Sequence, residues 1–404
     1  MSPAKPETRS PYVRTVSLAA WSLPGGPGRR LPRLDIELTE RCNFNCLHCT
    51  INRPADDDAA RAAEMSRETI EEILRQAAGL GVLSVRFTGG EPLLRPDFEA
   101  IYRMARGLGL RVSLFTNASL ITIRKAELLG SLPPLDPVEV SLYGLSRDAA
   151  DASTRTPGAG DAVARGLKLL DMYGVKYVAK LVVLPPSEPE IDAFRRREAA
   201  RPGGAVTRPS FVWPSDLRAR RDSRTANARL AGLRPTPEKA AAFAAAEAGF
   251  RDEMTAFCRA QCRPPGPGLF GCGAGTETAC IDAYGRFQLC LRLRHPDATT
   301  ALGPGGLAEA LASFVPKVRQ KKARNAGYLA RCARCFLKAL CEQCPASSWL
   351  EHGRLDAPVD YHCRTSHVQA RALGLLKRGE KAWLVRDWRR RVDAAAGGSH
   401  VRKS

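Results

Sequence analysis

The sequence has no apolar run approaching the ~20 residues that a membrane-spanning helix needs, so no such helix is expected. Its first residues carry charges but no apolar stretch of the secretory kind, which leaves the cytoplasm as the expected compartment. Acidic residues are outnumbered, 42 Asp and Glu against 62 Lys and Arg, for a net charge of +20. That balance suits nucleic acid, an acidic peptide or an anionic small molecule as partner. Arginine and alanine abound everywhere in the chain, however, and this general bias explains the charge as well, so nucleic acid is disfavoured. With 404 residues and 44% apolar content, two globular domains are the starting expectation.

Thirteen cysteines stand out against this background. Without a secretion signal they read as metal or redox ligands rather than disulfides, and an odd number suits a set of cluster ligands. Cys42, Cys46 and Cys49 fall in a C-x3-C-x2-C spacing just after an apolar run, Leu34 to Leu38, that reads as a strand. A loop leaving the C-terminal end of a strand is where open α/β sheets place ligands. Three thiolates leave a four-coordinate centre one ligand short, and in a four-iron cluster the unligated iron stays open to a cofactor. A zinc knot or redox thiols is the alternative for these three cysteines alone.

A strand–helix rhythm follows. Asp56 to Asp58 and the Ala/Arg run after them read as a linker, and Met65–Leu80 as a helix with Ser66 at its start. Val82–Thr88 is a second strand, ending in Gly89-Gly90-Glu91-Pro92. After a helix over Phe98–Gly107 come strands Arg111–Thr116, ending at Asn117, and Val138–Leu142, which contains Ser141. Helix Ala162–Tyr173, strand Val175–Leu184 with Lys180 at its middle, helix Glu188–Ala199 and a weaker strand over Val206–Val212 complete the series. Such alternation implies a parallel sheet covered by helices. Pro237–Phe257 reads as one Ala-rich helix, Cys258 to Cys363 holds ten cysteines, and Ala372–Arg391 reads as a basic helix. The expected division is therefore 1–32, an irregular extension; 33–235, the α/β core; 236–257, a helical bridge; 258–368, a small metal-stapled domain; and 369–404, a basic helix and tail.

The triple-cysteine spacing, with His48 before its last cysteine, resembles the signature of the radical SAM superfamily. Gly89-Gly90-Glu91-Pro92 strengthens the likeness, standing one βα unit after the cysteines and matching the family's GGEP motif letter for letter. The resemblance implies a partial (β/α)6 TIM-like barrel and a [4Fe–4S] cluster on Cys42, Cys46 and Cys49, whose open iron chelates S-adenosyl-L-methionine. It implies that Gly89, Gly90, Glu91 and Pro92 hold the amino group of that cofactor, the glycines by letting backbone come close and Glu91 as an anionic acceptor. Asn117 and Ser141 would reach its ribose or carboxylate, with ordinary capping or turn chemistry as the alternative. Lys180 would face the barrel interior and meet a carboxylate, or else point outward into solvent. Tyr143 is read as packing.

The later cysteines read as a hairpin around Gly285 bracketed by thiols, followed by Cys332-x2-Cys335-x5-Cys341-x2-Cys344 and Cys363. The five-residue gap is far shorter than the roughly 12–20 residues between zinc-ribbon knuckles. Cys272-x12-Gly285-x4-Cys290 and the block after it resemble a SPASM domain, a small Cys-rich α+β module, except that the last gap is two residues instead of three. The resemblance implies two auxiliary [4Fe–4S] clusters. Cys272, Cys290 and Cys344 would hold the nearer one, with Cys280 as its fourth ligand, and Cys332, Cys335, Cys341 and Cys363 the farther one. Cys280 has two other readings, absence from the site or a hydrogen-atom donor, while Cys258 and Cys262 read as buried thiols.

What the resemblance implies is a radical enzyme acting on a peptide or protein, by oxidation, cross-linking or epimerisation. No N-terminal peptide-recognition module is recognisable, so a separate leader-binding protein is expected, along with a reductase, flavodoxin or ferredoxin as electron donor. Two readings compete: the same chemistry on a small molecule, and a non-catalytic zinc protein that binds RNA through its basic surface.

Overall fold

A computed structural model describes residues 31–201, 209–247 and 249–397. The expected extension over 1–32 lies almost wholly outside these residues, as does the start of the Val206–Val212 strand. The described residues divide into two compact units: one within Met1–Pro214, Gly273–Leu291 and Pro296–Pro316, the other within Ser215–Cys272, Arg292–His295 and Lys317–Ser404.

The first unit is built on one nine-stranded sheet. Six strands run parallel in chain order: β1 (Arg33–Thr39), β2 (Ser84–Gly89), β3 (Arg111–Thr116), β4 (Val138–Leu142), β5 (Tyr177–Val182) and β6 (Ser210–Val212). This is the expected (β/α)6 series. Leu34, Ile36, Leu38, Val85, Phe87, Val112 and Leu114 are buried at alternate positions, so one face is apolar. Helix α2 (Arg67–Gly79) buries Ile70, Ile73, Leu74 and Ala77, and Ser66 caps it by accepting the Thr69 N–H at 3.2 Å.

The sheet continues past β1 through β7 (Thr278–Ile281), β8 (Arg286–Gln288) and β9 (Thr299–Ala301). β7 pairs in parallel with β1, and β7–β8 is the hairpin anticipated around Gly285, whose φ is +77°. The expected hairpin is thus present, but it extends the barrel sheet instead of belonging to a separate Cys-rich domain. Backbone pairing to β1 decides this, a long-range contact that no local pattern encodes.

Other expectations are corrected locally. The Asp56–Asp58 stretch is no linker: Asp57 accepts the Ala60 N–H and starts a helix, α1 (Asp58–Ala63). Helices Ile123–Ser131 and Arg147–Thr154, capped by Thr122 and Ser146, were not anticipated, nor was Arg224–Gly232, capped by Ser223. The Ala-rich bridge is two helices, Pro237–Ala245 and Phe250–Gln261, parted by Gly249 at φ +76°. The single C-terminal helix over Ala372–Arg391 is also absent. A helix over Asp360–Ala372 ends there, and a second begins only at Trp388. Gly374 and Gly379, at φ +78° and +82°, interrupt the path between them.

The second unit has its own core, in which Phe336, Leu337, Leu373 and Leu375 surround Cys258 and Cys262. Both thiols are free and buried, as expected, and they hydrogen-bond to each other.

Candidate functional site

The three-cysteine loop leaves β1 and is fixed by donors aimed at its sulfurs. The Phe44 N–H reaches Cys42 Sγ at 3.4 Å and the Asn52 N–H reaches Cys49 Sγ at 3.3 Å. Tyr143, expected only to pack, also donates its hydroxyl hydrogen to the Cys46 sulfur, with its ring 6.2 Å from Phe44 and 5.7 Å from His48. Burial pushes the Cys46 thiol up to about 12 and the Cys42 thiol higher, and the neighbouring thiols add to both shifts. Thiolates there need a cationic partner. His48 is half-buried, desolvation lowers its imidazole to about 4, and its Nδ1 has no hydrogen-bond partner.

The Gly89-Gly90-Glu91-Pro92 loop forms the back of this site. A Cβ at Gly89 would fall on the Thr39 carbonyl oxygen, and one at Gly90 on the Arg41 carbonyl oxygen. The Gly90 and Glu91 N–H groups donate to those same oxygens at 2.7 and 2.9 Å. The close approach expected of the glycines is therefore to the backbone leading into Cys42. The Glu91 carboxylate is wholly buried and already accepts from Thr116 Oγ1, the Asn117 N–H and the Leu93 N–H at 2.8, 2.8 and 3.0 Å. It ties the end of β2 to the end of β3. Burial raises its carboxyl despite these donors. Pro92 opens the short turn that follows.

Asn117 belongs to the same construction. Its amide donates to Asn43 Oδ1 at 3.1 Å and lies 4.0 Å from Cys42 Sγ, while Ser119 donates to its oxygen at 2.6 Å. On the other flank Arg41 pairs with Glu64 at 2.8 Å, and Arg95 donates to the Leu38 carbonyl at 3.2 Å. Asn43, Ser119, Glu64 and Arg95 were missed in the sequence because each acts through a partner tens of residues away.

The face of the sheet opposite the apolar one is polar. Register aligns Gln288, Cys280, Asp35, Arg86 and Ser113 in one row across β8, β7, β1, β2 and β3. The Cys280 thiol is fully buried and receives the Gln288 amide at 3.4 Å. Arg86 lies 4.4 Å from the centre of the Phe115 ring. Lys180 is 5.2 Å from that ring, and it does meet a carboxylate, that of Glu139 on the adjacent strand. Its charge is matched within the protein. Ser141 is half-buried beside Lys180 in register.

In the second unit, Cys332, Cys335, Cys341 and Cys363 line a single small cavity together with Arg331, Lys338, Gln343 and Trp383. Burial pushes Cys332 and Cys335 up to about 12 and raises Cys341. The other proposed set is divided in sequence: Cys280 and Cys290 fall in the first unit, Cys272 and Cys344 in the second. Cys344 caps the helix Pro345–His352, its sulfur 3.5 Å from the Ser347 N–H. Among the described residues no three His, Cys, Asp or Glu side chains converge closely enough for one metal ion. An iron–sulfur cluster seats its cysteines on separate irons, so it takes thiols spread round a cavity and not gathered at a point. The all-thiol donor sets and the N–H groups aimed at sulfur fit such clusters better than zinc.

Residues 36–196 match the Radical SAM superfamily. They are a radical SAM domain. Within curated relatives the chain is 38% identical over 140 residues to a probable GTP 3′,8-cyclase of Methanocella arvoryzae, covering 35% of this chain and 43% of that protein. It is 33% identical over 147 residues to the PqqA peptide cyclase of Gluconobacter oxydans, covering 36% and 40%. The chain thus spans less than half the length of these two relatives. Among solved structures it is similar to Streptococcus suis SuiB bound to precursor peptide SuiA, with a TM-score of 0.55, 19% identity, and 85% of this chain and 76% of that one covered. That likeness shows a shared fold, with the radical SAM domain as a partial barrel. No helix of the described residues is long and apolar enough to cross a membrane.

Proposed function

We propose that the chain is a radical SAM enzyme that takes a hydrogen atom from a peptide or protein substrate, with a SPASM-like second unit carrying auxiliary clusters. The reading is carried by one observation: three thiols on the loop after β1, with the Gly89–Gly90 backbone locked against the residues leading into Cys42. Cys42, Cys46 and Cys49 would hold the first cluster. A cluster held there together with S-adenosyl-L-methionine would supply one-electron chemistry able to oxidise an unactivated C–H bond. The protein's part is positional. Tyr143 and the Phe44 and Asn52 N–H groups stabilise thiolates, Asn117 and Asn43 brace the loop, and Glu91 joins two strand ends so that the floor does not shift. With Glu91 turned inward, the carbonyl groups of its loop are the groups left to receive the cofactor's ammonium. Asn117, Ser141 and Lys180 line the approach to it.

Cys332, Cys335, Cys341 and Cys363 would hold the farther auxiliary cluster. A peptide substrate is favoured because the fold extends over both units of the chain in a likeness to SuiB, solved with a precursor peptide. A small-molecule substrate is the second reading, favoured by the identity to GTP cyclases. Anaerobic reconstitution with iron and sulfide, then dithionite and S-adenosyl-L-methionine, should yield 5′-deoxyadenosine. Co-expression with candidate precursor peptides should change a peptide mass. Zinc without sulfide would instead establish the non-catalytic reading.

A further inference from the structure

The helix Arg147–Thr154 ends in a residue that its turn does not favour. Arg155, the residue after it, stands in the left-handed region at φ +52°, where helices usually place glycine. A glycine would carry no Cβ penalty there, so the strain is borne for what the arginine side chain does. That side chain forks onto one residue of the cysteine loop. Its Nε donates to the Asn45 carbonyl at 2.7 Å, and a terminal nitrogen donates to Asn45 Oδ1 at 2.6 Å. Beside this fork the Asn45 N–H donates to the Thr154 carbonyl at 3.1 Å, and the Leu47 N–H to the Ser153 carbonyl at 2.9 Å. The residues on either side of Cys46 are therefore laid along the last turn of the helix, on carbonyls that a helix end leaves unpaired.

The first turn of the same helix holds Tyr143. Gly144 packs on it so closely that a Cβ would lie 2.6 Å from the Ala150 nitrogen and 2.7 Å from the Ala149 Cβ. The helix thus spans the donor Tyr143 and the acceptor Cys46 as a splint. Its exit is fixed as well. The Asp151 carboxylate accepts the Gly158 and Gly160 N–H groups at 2.6 and 2.9 Å, and the Asp151 carbonyl takes the Arg155 N–H. The Arg155 charge also favours the thiolate form of Cys46. Strained residues held by many contacts cluster where function needs a fixed geometry. Ala118, the neighbour of Asn117, is another, at φ +60°. We infer that Arg155 is a positioning residue for the first cluster, its fork keeping Cys46 beneath the Tyr143 hydroxyl in the place that cofactor cleavage requires. It acts through Asn45 and Cys46 and not on the substrate. The inference rests on the reading that Cys42, Cys46 and Cys49 hold that cluster.

The test uses the full chain, reconstituted with iron and sulfide without air, as wild type, R155G and R155K. Glycine suits the left-handed turn, so R155G removes the fork without breaking the helix end. Its urea midpoint and its iron content should equal those of the wild type. Electron paramagnetic resonance of the dithionite-reduced protein should separate them. S-adenosyl-L-methionine should convert the wild-type spectrum to one new form and leave a mixture of forms in R155G. The kcat/KM for 5′-deoxyadenosine formation should fall by about tenfold or more in R155G, because small misplacements of a reacting centre are costly. R155K keeps the charge but not the planar fork, and should recover only part of that loss. Spectra and rates in R155G equal to the wild type overturn the inference. So does a loss of activity that merely follows a lower urea midpoint or lower iron content, which would make Arg155 a structural residue alone. A wild-type chain with no cluster signal, or with a signal indifferent to S-adenosyl-L-methionine, overturns the cluster reading and the inference with it. A responsive wild type with an unchanged R155G overturns the inference alone.

Discussion

The loop of Cys42, Cys46 and Cys49 hangs from the end of a strand in a parallel sheet, whereas the cavity of Cys332, Cys335, Cys341 and Cys363 is walled by short turns and two helices. Around the first, the donors are chiefly neutral: Tyr143, Asn117 and two backbone N–H groups, with the nearby cations Arg155 and Arg41 bound to Asn45 and Glu64. Around the second stand Arg331 and Lys338. On the proposed reading, the contrast would put the same ligand atom to two electrical purposes. Three thiolates among neutral donors would leave an open corner and keep the electron poorly stabilised, which suits a strong reductant, whereas four thiolates beside cations would close the coordination and hold an electron more readily.

The sharpest way to break this comparison is to remove the thiols of each region in turn. Cys42→Ser should abolish 5′-deoxyadenosine formation and lower iron by about four of the roughly 12 atoms per chain that three clusters would carry. Cys332→Ser should lose a similar amount of iron but keep 5′-deoxyadenosine formation, read by iron analysis and mass spectrometry. Equal losses of 5′-deoxyadenosine in both variants would erase the distinction. Next in size is Gly90→Ala, whose Cβ would strike the Arg41 carbonyl. We expect a loss of about 1–3 kcal/mol in urea unfolding together with loss of cofactor cleavage, because the displaced backbone leads into Cys42. The smallest effect on clusters belongs to Cys258→Ala, whose partner thiol Cys262 sits with it in an apolar core. Its iron content should equal that of the wild type, with stability lower by about 1 kcal/mol for the lost packing. A fall in iron would make Cys258 a ligand.

Where local spacing carried the chemistry, the sequence was read well. The C-x3-C-x2-C loop, the glycine pair and the strand ends at Asn117 and Ser141 all lie where one βα unit after another should put them. Reading failed where a partner far along the chain decides. Glu91 is an anionic acceptor by composition, yet Thr116 and Asn117 claim its oxygens from the next strand. Lys180 does meet a carboxylate, but it is that of Glu139 on the adjacent strand, which the sequence did not name. The Gly285 hairpin looked like part of the cysteine domain until backbone pairing to β1 drew it into the barrel sheet.

The residue order by itself determined the alternation of strands and helices, the position of the three-thiol loop and the need for glycine behind it, because these follow from periodicity, turn chemistry and the absence of a Cβ. The tertiary structure alone decided which acids are spent internally, which polar side chains share the row through Asp35 and Cys280, and which cations stand over Cys363. Those outcomes depend on burial and on register between distant segments, and neither is a property of any short stretch of chain.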